Sequence, residues 1–126
     1  MEFFVYGTLT ESDTATEVLD SFEYRGLATL VGLRRVDGEY PTLLPGGSVT
    51  GRILATDEVA ALDRYEGVNR GLYVRVSIAR EGSGTVETYV GNPALLGAPD
   101  EWPGSGTFEE RVRASLDSGV VVRQRS

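Results

Sequence analysis

The sequence has no histidine, no cysteine and no lysine. Without cysteine there can be no disulfide and no thiolate chemistry, and the redox compartment stays open. The joint loss of histidine and cysteine removes the His- and Cys-dependent triads and any zinc site built on imidazole or thiolate. Without lysine there is no Schiff base. An enzyme made from this alphabet must move protons with Asp, Glu or Tyr. Apolar runs extend only a few residues, so none reads as a membrane span. The opening MEFFVYG has neither a basic n-region nor a long apolar stretch, so it does not read as a signal peptide. A cytoplasmic protein is the default expectation.

Positive charge is scarce as well. Twelve arginines face nineteen acids, for a net charge of −7 and a pI near 4.6. Nucleic-acid binding needs a basic face to neutralise phosphates, so no nucleic-acid partner is expected. Adhesion to an anionic membrane is disfavoured for the same reason. The acidic, lysine-free composition fits two origins. One is a halophile's high-salt cytoplasm, where excess carboxylates maintain solubility; the other is the mutational bias of a GC-rich genome.

What is present suits one ordinary globular domain spanning residues 1–126, with 40% apolar and 25% charged residues. EFFVY, residues 2–6, predicts a buried first strand ending at Gly7. TATEVLDSFEY, 14–24, predicts a short helix with Val18, Leu19 and Phe22 as its apolar contacts. Residues 26–36 are strand-like, bent near Gly32. VDGEYPTLLPGG, 36–47, is turn-rich. A strand follows over 49–55, interrupted at Gly51, and a helix over 56–67. Residues 72–79 alternate as a strand, EGSG turns the chain, and 85–90 returns as its partner. PGG at 45–47 and GSG at 82–84 and 104–106 read as plain turns. Residues 91–106 read as a long loop, 107–117 as a helix opened by the capping box Thr107–Glu110, and the last eight residues as a short strand and polar tail. Strands in the majority with two or three short helices predict an α+β fold. They favour a curled sheet or small barrel of about five to seven strands.

Glu66 stands out. In TDEVAALDRYEG, Thr56 or Asp57 can cap the helix and Gly67 is the expected stop. Val59, Leu62 and Glu66 are spaced i, i+3, i+7 and share a face, with Asp63 beside it. A carboxyl projecting from an apolar stripe is partly desolvated, which raises its pKa toward that of a general acid/base working near neutrality. The plainer reading turns Glu66 outward to pair with Arg70 or Arg75. Its place at the helix C-terminus opposes the dipole in either case.

In FVYGTL, Gly7 follows the buried strand directly. Glycine permits close backbone approach, successive N–H groups of such a turn can hold an anion, and Thr8 adds a hydroxyl. An ordinary strand-to-loop turn is the alternative. Neither a P-loop nor a dinucleotide fingerprint occurs. Tyr6, Tyr73 and Tyr89 lie in or beside strands, either as packing residues or as phenols lining a pocket beside Glu66; Tyr73 is the best placed, and Tyr40 is a candidate for the rim. Trp102, in the proline-rich loop, is expected to bury against its own barrel rather than anchor a partner or form a lid.

In this order, FVYGTL, EYPTLLPGGSVTGRIL, LDRYEGVNRGLYVRVSI and VETYV resemble the γ-glutamylcyclotransferase-like family, which includes the AIG2-like proteins. The resemblance runs from Phe3 to about Val90 and rests most on YGTL paired with LDxYEG and Y-x-R. It implies a small mixed β-barrel with flanking helices. It also implies an intramolecular reaction in which the α-amine of a γ-glutamyl group attacks its own γ-carbonyl, giving 5-oxoproline and a free amine or amino acid. By the same resemblance Glu66 matches the catalytic glutamate, Tyr6, Gly7, Thr8 and Leu9 match the substrate cradle, and Tyr73 matches a tyrosine near the glutamate. No metal and no organic cofactor is implied. The polar, acidic TESDT after YGTL points toward a γ-glutamyl amine rather than a dipeptide. The competing expectation is a non-catalytic domain that holds a small anionic metabolite; monomer and dimer are both open.

Overall fold

The computed structural model describes residues 1–98, 100–117 and 119–124. Six strands, β1 (Glu2–Val5), β2 (Glu23–Asp37), β3 (Pro41–Ala55), β4 (Tyr73–Arg80), β5 (Thr85–Gly91) and β6 (Val121–Gln124), close into a barrel in the order β1-β3-β2-β6-β4-β5. The pairs β1–β5 and β4–β6 are parallel and the rest antiparallel, so the barrel is mixed. Helices α1 (Ser12–Val18), α2 (Val59–Glu66), α3 (Pro93–Leu96) and α4 (Phe108–Leu116) flank it, with single 3-10 turns at Thr8–Thr10 and Val68–Arg70. Among the described residues no helix is long and apolar enough to cross a membrane.

From Phe3 to Tyr6 the run is apolar because β1 is buried on both faces. Phe4 and Tyr6 join Leu30, Leu43, Ile53, Val76, Ile78 and Val90 inside the barrel. Phe3 and Val5 face outward into a second layer with Leu54 and Tyr89, under Ala15 of α1 and Leu62 of α2. Gly51 does not interrupt β3: it stays in the ladder opposite Ala28. A Cβ there would run into the Val5 carbonyl oxygen and the Phe4 ring, so glycine is what lets β1 approach so closely.

The turn-rich reading of 36–47 is corrected. Only residues 38–40 connect two long strands, and TLLPGG belongs to β3. Pro41 opens that strand, and Pro45 stands opposite Leu33 at a register shift, two positions where a missing ladder donor is tolerated. The PGG at 45–47 is therefore a bend within the hairpin and not a turn: Gly46 and Gly47 take φ +106° and +67°, opposite the bend expected at Gly32, whose φ is +103°. Beyond this bend the hairpin reaches the open end of the barrel. Its tip is fixed there by Glu39 N–H donating to the Leu96 carbonyl of α3 at 2.7 Å.

Other boundaries shift for local reasons. The first helix spans Ser12–Val18 and not 14–24. The Asp20 and Ser21 amides donate to the Glu58 carboxylate instead of continuing it, and Tyr24 belongs to β2. Glu58, not Thr56 or Asp57, is the residue preceding α2; the Thr56 hydroxyl accepts from the Glu58 amide at 3.2 Å, and Gly67 ends the helix at φ +71° as expected. The predicted 91–106 loop contains α3, capped by the Asn92 side chain. Trp102 is buried, in a core cluster that joins the barrel interior to Val112 of α4. The capping box of α4 and the EGSG hairpin form as expected. The last two residues of the predicted tail lie outside the described residues.

One buried link joins the hairpin to the rest of the barrel end. The Thr42 hydroxyl donates to the Gly91 carbonyl at 3.0 Å and accepts from the Gly91 amide at 2.7 Å, so β3 is tied to β5 beyond the end of short β1. Thr42→Val keeps the volume but leaves both Gly91 groups without their partner. Each unsatisfied buried group costs about 1–3 kcal/mol. Urea denaturation is expected to register a loss of roughly 2 kcal/mol or more, with the barrel still folded.

Candidate functional site

Because β1 ends at Val5 while β3 and β5 continue, the barrel has an opening where the chain leaves its first strand. A cavity of about 380 Å³ occupies it. It is lined by Tyr6, Gly7, Thr8 and Leu9 from the exit loop, Tyr40 and Pro41 from the hairpin, Tyr65 and Glu66 from α2, and Arg70, Leu72, Tyr73 and Tyr89, with Phe4 and Val5 behind them. All six residues expected at the site, Glu66, Tyr6, Gly7, Thr8, Leu9 and Tyr73, border this one space.

The loop is held from its carbonyl side. Arg35 Nη1 donates to the Tyr6 carbonyl at 2.9 Å. The Thr10 amide and hydroxyl both reach Gly7 O, and the Glu11 amide reaches Thr8 O. The Tyr24 hydroxyl donates to Leu9 O at 2.6 Å, and Arg52 Nη1 donates to Thr10 O at 2.9 Å while its guanidinium lies 3.6 Å from the centre of the Tyr24 ring. Among the described residues the amides of Gly7, Thr8 and Leu9 donate to no backbone carbonyl. Successive amides left without such a partner can hold an anionic oxygen.

Opposite the loop, α2 is fixed in rotation. Leu62 is fully buried, and Asp63 accepts a 2.6 Å hydrogen bond from the Tyr89 hydroxyl. Arg75 Nε lies 3.5 Å from the same carboxylate. Arg75 therefore serves Asp63 and is not the partner of Glu66. Two residues past Asp63, Tyr65 closes the near side, its hydroxyl 2.7 Å from Thr8 Oγ1. Glu66 is left facing the cavity, partly buried, and burial pushes its carboxyl up to about 7 with no cation offsetting it. Arg70 also lines the cavity but pairs with no carboxylate among the described residues.

The tyrosines differ in kind from the glutamate. Burial first, and then neighbouring negative charge, raises the phenols of Tyr6, Tyr73 and Tyr89 well above the usual range, so they stay neutral. Tyr40 is 57% exposed and forms the rim, as expected. Tyr65, Arg70 and Leu72 were not anticipated; the adjacency of Tyr65 to Glu66 and of Leu72 to Tyr73 was the available signal. Glu11 and Asp13, the acids of TESDT, lie outside the lining, where the charged groups are Glu66 and Arg70. Among the described residues no group of three or more carboxylates gathers as a metal-ligand set.

A carboxyl whose folded pKa exceeds its unfolded value near 4.5 contributes stability that is complete below that value and is lost as pH rises through about 7. Glu66→Gln removes this penalty. Its unfolding free energy is expected to match the parent near pH 4 and to exceed it at pH 8, by up to about 3 kcal/mol at ~1.4 kcal/mol per pKa unit. Urea melts at the two pH values measure the difference.

The gamma-glutamyl cyclotransferase, AIG2-like family matches residues 3–109, which extends the likeness past Val90 into α3 and the start of α4. Comparison with curated proteins gives no match. A solved structure described as a gamma-glutamyl cyclotransferase is similar in fold, with a TM-score of 0.62 and 15% identity over 94% of this chain and 99% of that one. A protein of Arabidopsis thaliana solved in solution is 31% identical, with a TM-score of 0.56, over 90% of this chain and 80% of that one. An uncharacterised protein of Pyrococcus horikoshii has a TM-score of 0.58 at 18% identity, over 90% and 93% of the two chains. The shared barrel and the match over most of its length make this chain a member of the AIG2-like gamma-glutamyl cyclotransferase family.

Proposed function

We propose that this protein is a cofactor-free γ-glutamyl cyclotransferase that converts a γ-glutamyl amide to 5-oxoproline and a free amine, with Glu66 as general acid/base. The observation that carries the reading is that Glu66 and residues 7–9 border the same cavity. Of the lining groups, only Glu66 is shifted to titrate near neutrality.

The reaction asks little of the protein because nucleophile and target are tethered in one molecule. The Glu66 carboxylate takes a proton from the α-ammonium, and the amine nitrogen so freed attacks the γ-carbonyl carbon. The amides of Gly7, Thr8 and Leu9 hold the oxygen on which charge develops, or the α-carboxylate. Glu66 then returns its proton to the departing nitrogen as the original C–N bond breaks. The second ammonium proton follows by the same route, so the products are the neutral lactam and the ammonium form of the amine. Tyr6 and Tyr73, as neutral phenols, shape the bound glutamyl chain. On the leaving-group side the lining offers Tyr40, Tyr65 and Arg70 rather than the TESDT acids, which removes the reason to prefer amines over amino acids as leaving groups.

A panel of γ-glutamyl amines and γ-glutamyl amino acids, followed by 5-oxoproline release, tests the proposal. Ligand-induced thermal stabilisation without product from any member would instead mark a binding domain. For a substrate that turns over, kcat/KM is expected to rise with pH through about 7 as the carboxylate forms. Glu66→Gln is expected to lower kcat about 10²- to 10⁴-fold, the usual range for losing a general acid/base. Turnover by that variant at the parent rate would remove Glu66 from the mechanism.

A further inference from the structure

Two charged groups border the cavity, and they stand in different conditions. Glu66 is partly buried, whereas Arg70 is exposed at the mouth. Arg70 is the one cation among the described lining residues, and its side chain has neither an ion pair nor a hydrogen bond there. Other arginines at this end of the barrel are engaged: Arg35 and Arg52 with carbonyls of the exit loop, Arg75 with Asp63.

The backbone holds this free guanidinium in a defined place. After α2 the chain makes a single 3-10 turn, Val68–Arg70, between Gly67 and Gly71, whose left-handed φ values are +71° and +73°. The Arg70 amide donates to the Gly67 carbonyl at 3.0 Å, and the Leu72 amide returns to the same oxygen at 3.2 Å. The side chain folds back over the helix end. A Cβ on Gly67 would stand 3.1 Å from Arg70 Nη2, so glycine leaves the room that the guanidinium uses. Gly67 directly follows Glu66. Arg70 is therefore on the α2 side of the cavity, across from the 7–9 loop. It is not the partner of Glu66, because burial alone acts on that carboxyl.

A guanidinium with no protein partner at a cavity mouth matches a carboxylate on the ligand, which it can meet with two parallel N–H donors. The departing nitrogen must come within reach of Glu66, which returns its proton. The group attached to that nitrogen then extends along the α2 side, toward Arg70. Tyr40 and Tyr65, both exposed at the rim, offer ring faces to its hydrocarbon part.

We propose that Arg70 is a specificity-determining residue whose guanidinium binds a carboxylate carried by the departing amine, so that γ-glutamyl amino acids are preferred to γ-glutamyl alkylamines. This rests on the cyclotransferase reading for the identity of the departing group. It reverses the preference that the TESDT acids suggest, since those acids lie outside the lining. Arg70 makes and breaks no bond; it selects between substrates that react alike.

The test compares γ-glutamylalanine with γ-glutamylethylamide, which differ by one carboxylate on the carbon attached to the departing nitrogen. The parent is expected to favour γ-glutamylalanine in kcat/KM by about tenfold, the order of one charge-assisted contact at an exposed site. Arg70→Gln is expected to bring that ratio close to one, and Arg70→Lys, which keeps the charge and loses the fork, to retain part of it. Added NaCl is expected to narrow the ratio in the parent. A parent that does not favour γ-glutamylalanine would overturn the assignment. So would an Arg70→Gln variant that loses equally on both compounds, as a structural role or a contact with the glutamyl α-carboxylate requires. Failure of the cyclotransferase reading looks different: neither compound yields 5-oxoproline. Calorimetric titration of parent and Arg70→Gln with the same two compounds then reads the contact. A preference for γ-glutamylalanine that the variant loses upholds it, and equal or absent binding overturns it.

Discussion

A carboxyl group held out of water with no cation beside it is the condition on which the site depends. Glu66 gains nothing for the fold once ionised; burial alone lifts its pKa to about 7. Such a group stays where it is because its neighbours on the helix are over-determined. Leu62 is sealed in the outer hydrophobic layer, Asp63 is tied to Tyr89 and Arg75, and Tyr65 meets Thr8. The helix cannot turn Glu66 toward solvent without breaking these contacts. The nearby arginines do not quench it either: Arg75 is engaged with Asp63 and Glu87, and Arg70, though it borders the same cavity, forms no ion pair with it.

The opening that receives this carboxyl follows from strand lengths. β1 has four residues, whereas its partner β3 has fifteen. The longer strand bends at Gly46 and Gly47, and its far end returns to β5 through Thr42 and Gly91. Into the resulting gap the chain turns through Gly7. The barrel thus supplies rigid walls while the gap holds an irregular stretch of backbone whose carbonyls are satisfied and whose amides at 7–9 donate to no backbone carbonyl among the described residues. A preorganised donor surface of this kind needs no rearrangement when a negative oxygen arrives.

The groups that border the cavity are held by bonds to the rest of this barrel end. Arg35, Tyr24 and Arg52 occupy the carbonyls of Tyr6, Leu9 and Thr10. The Pro41 carbonyl takes the Tyr73 phenol proton, and Asp63 takes that of Tyr89. Loop and phenols are thus fixed in place without help from a ligand.

Much of this was legible in the order of residues. The apolar run of β1, the alternation of β4, the capping box of α4 and the Gly67 stop are local signals, and local physics decides them. The spacing Val59, Leu62, Glu66 put a carboxyl on an apolar helix face, and the missing histidine, cysteine and lysine left few other groups to consider. The continuity of β3 through Pro41–Gly47 was not legible, because proline and glycine mark turns unless a distant partner strand supplies the ladder. Nor was the true end of the first helix, which depends on Glu58, a residue far along the chain, capturing the amides of Asp20 and Ser21. The sequence by itself determined the chemical alphabet of the site and the helix face that carries Glu66. Tertiary structure decided that this face meets the loop after β1, that Arg75 belongs to Asp63, and which way each tyrosine proton points, since all three depend on contacts between residues that only barrel closure brings together.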